Sequence, residues 1–448
     1  MRRSMGMAVL GVGLAAFAAT STAELQAQRP SRGANRVALV GGMLLDGYEA
    51  PPVHHAAILI EGNRIVAVGP ADEVEIPPDA RVIDTSGKTM LPGLIDLHVH
   101  LDILGHGNYT EWYGFVERRN RLKEVMAIAA KQLLRAGVTT AVDLGAPLEV
   151  LDVRRRINAG EIPGPRMLVS GPWITRVSMS DVPPAYQNVV GSPKEAAAKA
   201  RELIDAGVDV IKTWVGLTEE DLRAVVDVAH DRGVKVHSHL YDPEAIWDAI
   251  RAGVDVLQHV GSGGNPPYSD ELIGEIAHRG IPVVQTIAHR IWVYPATVEF
   301  PERLRDPQLK EDFPPDIYDE VMRSFENFRR LSYFRTTPRQ IRNSRVAARQ
   351  FIDADVVMAM GTDSGTPLNL HTEAAWREIS ALVDSGMSPL EAISAATKTG
   401  AEVIGMGSEL GTIEPGKLAD IIVVNGNPLF DINVLGYVAY VVKGGVVW

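Results

Sequence analysis

The chain has 448 residues, 46% of them hydrophobic and 22% charged, so a large core can be buried without cross-links. Its formal net charge is −12, and its 44 Lys and Arg residues are scattered rather than gathered into a stripe, which argues against nucleic-acid binding. Cysteine is absent, so disulfides and thiolate metal sites are excluded and any zinc must be held by imidazole, carboxylate or modified lysine.

At the N-terminus, Arg2-Arg3, an apolar run from Met7 to Ala19 and small residues at Ser21-Thr22-Ala23 predict a secretory signal peptide over 1–23, cut after Ala23 with Ala27 as the next choice. The run is shorter than the ~20 residues that span a bilayer, which weighs against a membrane anchor. The expectation is a secreted or periplasmic protein with no stable anchor after processing. Two arginines alone do not establish a twin-arginine signal.

From Arg36 to Met90 short β-like runs alternate with turns, and Glu61-Gly62-Asn63 reads as a hairpin. The stretch from Lys417 to Trp448 has the same texture. Neither piece would form a stable sheet alone, which predicts one small β-sandwich domain built from both termini, 36–90 plus 412–448.

Between them, over 91–411, a helical stretch repeatedly ends at a glycine and a short apolar run follows: AGVTTAVD, AGVDVIK, RGVKVHSH, AGVDVLQH and RGIPVVQT, with Gly137, Gly207, Gly233, Gly253 and Gly280. Glycine just past a helix end relieves the left-handed cap, and a continuous apolar run suits a strand buried on both faces. With LPGLIDLHVH, PRMLVS and DVVMAMGTD the strands number eight, which predicts an α/β fold, a (β/α)8 TIM barrel. A doubly wound open sheet is the rival, without the Gly-rich phosphate loop such sheets use. The charged, Pro-rich segment 291–350 reads as a lid or substrate wall, with Tyr294, Phe313, Phe328, Tyr333 and Phe334 either touching substrate or packing.

Active sites of such barrels lie at the C-terminal strand ends. The apolar runs end at His98 and His100, Asp143, Ser170, Lys212, His239, His259, Gln285 and Asp363. His98 and His100 are two apart on one strand and share a side of the pleat, so both can grip one ion. A lone His-x-His says little, but His239, His259 and Asp363 would share its rim. An ammonium at Lys212 would repel a divalent ion; carboxylation by CO2 would convert it into a bridging anion, the alternative being a lysine facing solvent or a substrate carboxylate. His237 reads as a partner of His239 or a core residue, and His289 and His371 as candidate pocket residues. His54, His55, His106, His230 and His278 read as surface or loop. Asp102, Asp143 and Gln285 are candidates for orienting ligands, Asp143 alternatively capping the next helix.

The stretches LPGLIDLHVHL, DVIKTW, VHSHLYD, VDVLQHV, MGTDSG, SPLEAISAATKTGAEVIG and GTIEPGKLADIIVVNGNP resemble the amidohydrolase superfamily, in its imidazolonepropionase-like and prolidase-like branch, across nearly all of the mature chain. The resemblance implies two zinc ions per chain: His98, His100 and Asp363 on the more buried one, His239 and His259 on the more exposed one, and carboxylated Lys212 between them. Lys212 departs from the single-metal imidazolonepropionases and favours amide and peptide cleavage. His239 is followed by Leu240, Tyr241 and Asp242 rather than by the glutamate of the deaminases, which disfavours deamination. Asp363 would be the general base, and Tyr241 would bond the developing oxyanion or simply pack. The expected enzyme is a metal-dependent hydrolase of a dipeptide, an N-acyl amino acid or a similar small amide. The alternatives are a mononuclear cyclic-amide hydrolase and a non-catalytic secreted binding protein. Specificity is expected from Gly171–Gly191 and 291–350, with Arg176, Arg290 or Arg335 as carboxylate partners. A homo-oligomer, common among relatives, is left open.

Overall fold

A computed structural model describes residues 36–261, 267–326, 328–331 and 333–448, the last segment by backbone alone over 333–337. The expected signal peptide lies outside the described residues, as do the side chains of Tyr333, Phe334 and Arg335. No helix among the described residues is long and apolar enough to cross a membrane.

Strands Arg36–Leu44 and Val53–Glu61 pair antiparallel, and Val53–Glu61 turns through Gly62-Asn63 into Arg64–Pro70, with Glu61 opposite Arg64. The two ends of the chain meet where Lys88–Pro92 pairs antiparallel with Ile421–Asn425, Leu91 opposite Ile422. The result is one eight-stranded sheet. The period-two pattern sorts its side chains. Val37, Leu39, Ile58, Ile60, Ile421 and Val423 share a small core, whereas Leu91, Ile422 and Val424 join the main one.

The rest of the chain is a parallel system. One ladder joins Leu94–Val99, Val138–Asp143 and Arg166–Val169. A second joins Trp173–Thr175, Val210–Thr213, Lys235–His239, Val256–Gln258 and Val283–Val284, with Gln187–Val189 at its edge. The amide of Asp209 donates to Val169 O at 2.9 Å between the ladders. The apolar run at 356–363, read as an eighth strand, makes an isolated parallel bridge from Met358 to Val283 and, just past it, one from Ser364 to Val99, and Ala359 N donates to Val283 O while Met360 O accepts from Leu97 N.

The helices follow the sequence signals. Pro193–Ala206 starts at Ser192, whose side chain accepts from Glu195 N, and ends at left-handed Gly207. Its buried face is Ala196, Ala200 and Leu203. Glu219–His230 opens with a Thr218/Asp221 capping box and buries Leu222, Val225 and Val226, each contributing roughly 1.5–3 kcal/mol by leaving water. All five repeat glycines have positive φ. The expected lid is largely helical, with Tyr294, Phe313 and Phe325 packed into the core.

Candidate metal centre and substrate cavity

Five of the predicted strand-end residues converge with Lys212 on one cavity of about 210 Å³: His98, His100, His239, His259 and Asp363. One ligand atom each from His98, His259 and Asp363 lies within 4.8 Å of the others, enough for an ion, so this triple takes His98 and Asp363 from one expected set and His259 from the other. The His100 Nε2 sits 3.2 Å from Asp363 Oδ1. The His239 ring lies 4.4 Å from that of His259.

Backbone strain holds two of these groups. His259 (φ 65°) and Asp363 (φ 56°) adopt the left-handed conformation that costs a non-glycine residue about 1–3 kcal/mol. Asp363 is fixed through its carbonyl, which accepts from Thr366 Oγ1 (2.6 Å) and Asn369 Nδ2 (3.0 Å). At Gly365 a Cβ would lie 2.6 Å from the carbonyls of His100 and Ile103, so only glycine lets the Asp363 turn approach the His100 loop.

The tautomer of His98 is set by Gln258. The Gln258 amide nitrogen donates to His237 Nδ1 (3.0 Å) and Leu97 O (3.4 Å), which leaves its oxygen to accept from His98 Nδ1 at 2.7 Å. His98 Nδ1 therefore carries the proton and Nε2 presents its lone pair to the cavity. Asp96, fully buried, accepts from the amides of His98 and Thr362 and from Thr362 Oγ1, tying the first strand to the Asp363 run. Glu378 accepts from the amides of Ile287 and Ala288 and sets the start of the His289 turn. Residues 96, 258 and 378 escaped the sequence reading; for Asp96 and Gln258 the available signal was a polar residue interrupting an otherwise apolar run, while Glu378 sits on a helix among Arg and Ser and carried none.

Electrostatics follow from burial. His98, His239 and His259 are held well below the usual histidine value, first by burial and then by neighbouring cations and rings, so they present neutral lone pairs. Burial would raise Asp363, but the hydrogen bond from His100 and the nearby His289 and other rings outweigh it and hold the carboxylate ionised. Lys212 is 2% exposed, its Nζ has no hydrogen-bond partner among the described residues, and burial lowers it to about 7.

Other expectations resolve differently. His289 bonds Tyr294 OH (2.7 Å) and lies 3.3 Å from Asp363 Oδ2, and His371 bonds Ser364 Oγ and Ile103 O; both brace the Asp363 loop rather than line the cavity. His106 is not a surface residue: it is 2% exposed and bonds Asn108 O. Asp143 caps no helix; it accepts from the amides of Leu101, Gly145 and Ala146 and so pins the loop after His100. Gln285 donates to Ser344 O, away from the ligands, and Ser170 bonds Gly171 O. Arg176 is committed to Asp221 by two bonds of 2.7 and 2.8 Å. Arg290, 5% exposed, lines the cavity and bonds His289 Nδ1. The apolar walls include Ile103, Tyr109 and Tyr113 after the first parallel strand, Trp173, Met179 and Val182 within 171–191, and Trp214 and Tyr241; among the described residues none comes from 291–350.

Residues 89–447 match the model of the amidohydrolase family. The chain belongs to that family. Ochratoxinase of Aspergillus niger is 25% identical across 91% of this chain and 85% of its own length. Imidazolonepropionase of Geobacillus kaustophilus is 24% identical across 88% of this chain and 90% of its own. Among solved structures, a Xaa-Pro dipeptidase with methionine bound in its active site superposes with a TM-score of 0.74 at 26% identity, covering 92% of this chain and all of the other. This amidohydrolase is thus a hydrolase of carbon–nitrogen bonds with the α/β fold of that metal-dependent family, and its His98, His259 and Asp363 supply a donor set that fits a metal ion.

Proposed function

We propose that this amidohydrolase is a secreted enzyme with two zinc ions that cleaves a dipeptide, an N-acyl amino acid or a similar small amide. Lys212 carries the reading: its buried Nζ, without a partner among the described residues, faces the cavity shared by four histidines and Asp363. A buried donor left unbonded costs about 1–3 kcal/mol. Attack of the neutral amine on CO2 forms one N–C bond, releases one proton and leaves an anion that can span two cations. On this reading His98, His100 and Asp363 hold one ion, His239 and His259 the other, and Lys212 lies between. The parallel segments close as a (β/α)8 barrel over 91–411, 36–90 plus 412–448 form the small β-sandwich domain, and 1–23 direct export.

Bound zinc supplies Lewis acidity and brings the pKa of water to about 7. The chain's own residues do the rest. Asp363 Oδ1 faces His100 and Oδ2 faces His289. Its carboxylate takes a proton from the attacking water and returns it to the leaving nitrogen. Tyr241, its ring 4.6 Å from His239, offers its hydroxyl to the developing oxyanion. Arg290 is the cation placed to hold a substrate carboxylate.

The close His98, His259 and Asp363 triple favours one alternative, a single-metal cyclic-amide hydrolase. A metal count by plasma mass spectrometry decides between them, on mature protein purified with bicarbonate and on Lys212→Ala. About two ions in the wild type, dropping in the variant, supports the bridged pair. About one ion in both removes the bridge and favours the alternative.

A further inference from the structure

Resting on the amide-cleaving reading, we propose that Asp102 recognises the free α-amino group of the substrate, so that the enzyme takes unblocked dipeptides with an apolar first residue in preference to N-acyl compounds. Asp102 is 1% exposed and forms part of the cavity wall. Its Oδ2 accepts from Tyr113 OH at 2.9 Å, while its buried Oδ1 accepts from no donor among the described residues. Its backbone is fixed as well, because Trp112 Nε1 donates to Asp102 O at 2.9 Å. Buried polar atoms are nearly always bonded, so a carboxylate oxygen left without a donor in a cavity wall is a place where a ligand brings one.

The position suits an ammonium. In a dipeptide the amino group is carried by the carbon next to the scissile carbonyl, so a carbonyl held at the histidines places the ammonium a few ångströms away. Asp102 follows His100 by two residues on the loop that leaves the first parallel strand. Ile103, Tyr109, Met179 and Val182 line the same cavity and offer an apolar wall for the first side chain. Arg290 lines the same cavity and matches the opposite charge of the dipeptide's other end. An N-acyl group brings no ammonium and leaves Oδ1 buried and unbonded. Sites built around such a bond reject the analogue lacking it strongly.

The test compares leucyl-alanine with 4-methylpentanoyl-alanine, which differ only in the ammonium, using metal-loaded wild type and Asp102→Asn. Calorimetric binding of leucine against 4-methylpentanoate runs alongside, with Asp102→Ser as a second variant should the amide fold poorly. The expected result is at least a tenfold wild-type preference for the amine-bearing compound in both assays, collapsing toward unity in the variants. Equal hydrolysis of the two amides by the wild type, or a preference that survives both substitutions, overturns the role of Asp102 and leaves the amidase reading standing. Preferential leucine binding that depends on Asp102, without cleavage of either amide, upholds the amine site and overturns the amidase reading instead.

Discussion

Replacing Gln258 by leucine removes the amide that connects two buried histidines while keeping the volume nearly constant. Gln258 is fully buried, and His98 and His237 are each 1% exposed, so water cannot take over its bonds. The change leaves His98 Nδ1 and His237 Nδ1 without the partners now at 2.7 and 3.0 Å. At about 1–3 kcal/mol for each orphaned group, partly relieved by tautomer change, the fold should lose about 3 kcal/mol in urea titrations of the metal-free protein. The metal effect is separate. Freed from Gln258, His98 can move its proton to Nε2 and turn its lone pair away from the cavity. Loss of a bond that orients a ligand typically lowers metal affinity about 10–100-fold, which chelator competition measures directly. Gln258→Glu keeps an acceptor for His98 and should hold zinc better than the leucine variant. Zinc affinity for Gln258→Leu within twofold of wild type would refute the argument that this amide sets the tautomer.

Four further outcomes are expected. Asp363→Asn should lower kcat/KM by about 10²–10⁴, the range of general acid–base catalysis, at metal concentrations that restore full loading. His106 and His371 are buried and lowered to about 4, mainly by burial, so the unfolded chain binds the extra proton first and stability falls as pH drops below 6.5. From pH 6.5 to 5 each takes away about 2 kcal/mol, and urea unfolding of His371→Asn should show a shallower pH slope than wild type. Arg176→Met removes one partner of the Asp221 carboxylate, which Thr218 still binds, and should lower the urea midpoint with KM unaltered; an unchanged fold with a tenfold higher KM would return Arg176 to substrate binding. Arg290→Met should raise KM for a free-carboxylate dipeptide at least tenfold more than for its C-terminal amide, as read in steady-state kinetics.

Much of the candidate site was legible because strand ends announce themselves. His98, His100, Lys212, His239, His259 and Asp363 each terminate an apolar run, and the rim that those runs imply is the cavity wall the structure shows. The hairpin at Gly62-Asn63 and the glycine-terminated helices were equally local, since left-handed backbone at a turn or cap calls for glycine. The run at 356–363 pairs only briefly, through parallel bridges and a few backbone bonds to Leu94–Val99 and Val283, because an apolar run specifies burial and not the length of a ladder. His106 misled: its segment reads as a polar loop, and only packing against Trp112 and Asn108 encloses it.

What the sequence determined by itself was period and chemistry: where strands and helices stop, and which side chains able to hold a metal stand at those stops. Tertiary structure decided the pairings between distant segments. Gln258 between His98 and His237, Asp96 on Thr362, Arg176 on Asp221 and the enclosure of Lys212 all join residues far apart in the chain. Such bonds leave no local pattern, because a buried polar group needs only some partner of matching chemistry and the fold alone chooses which one arrives.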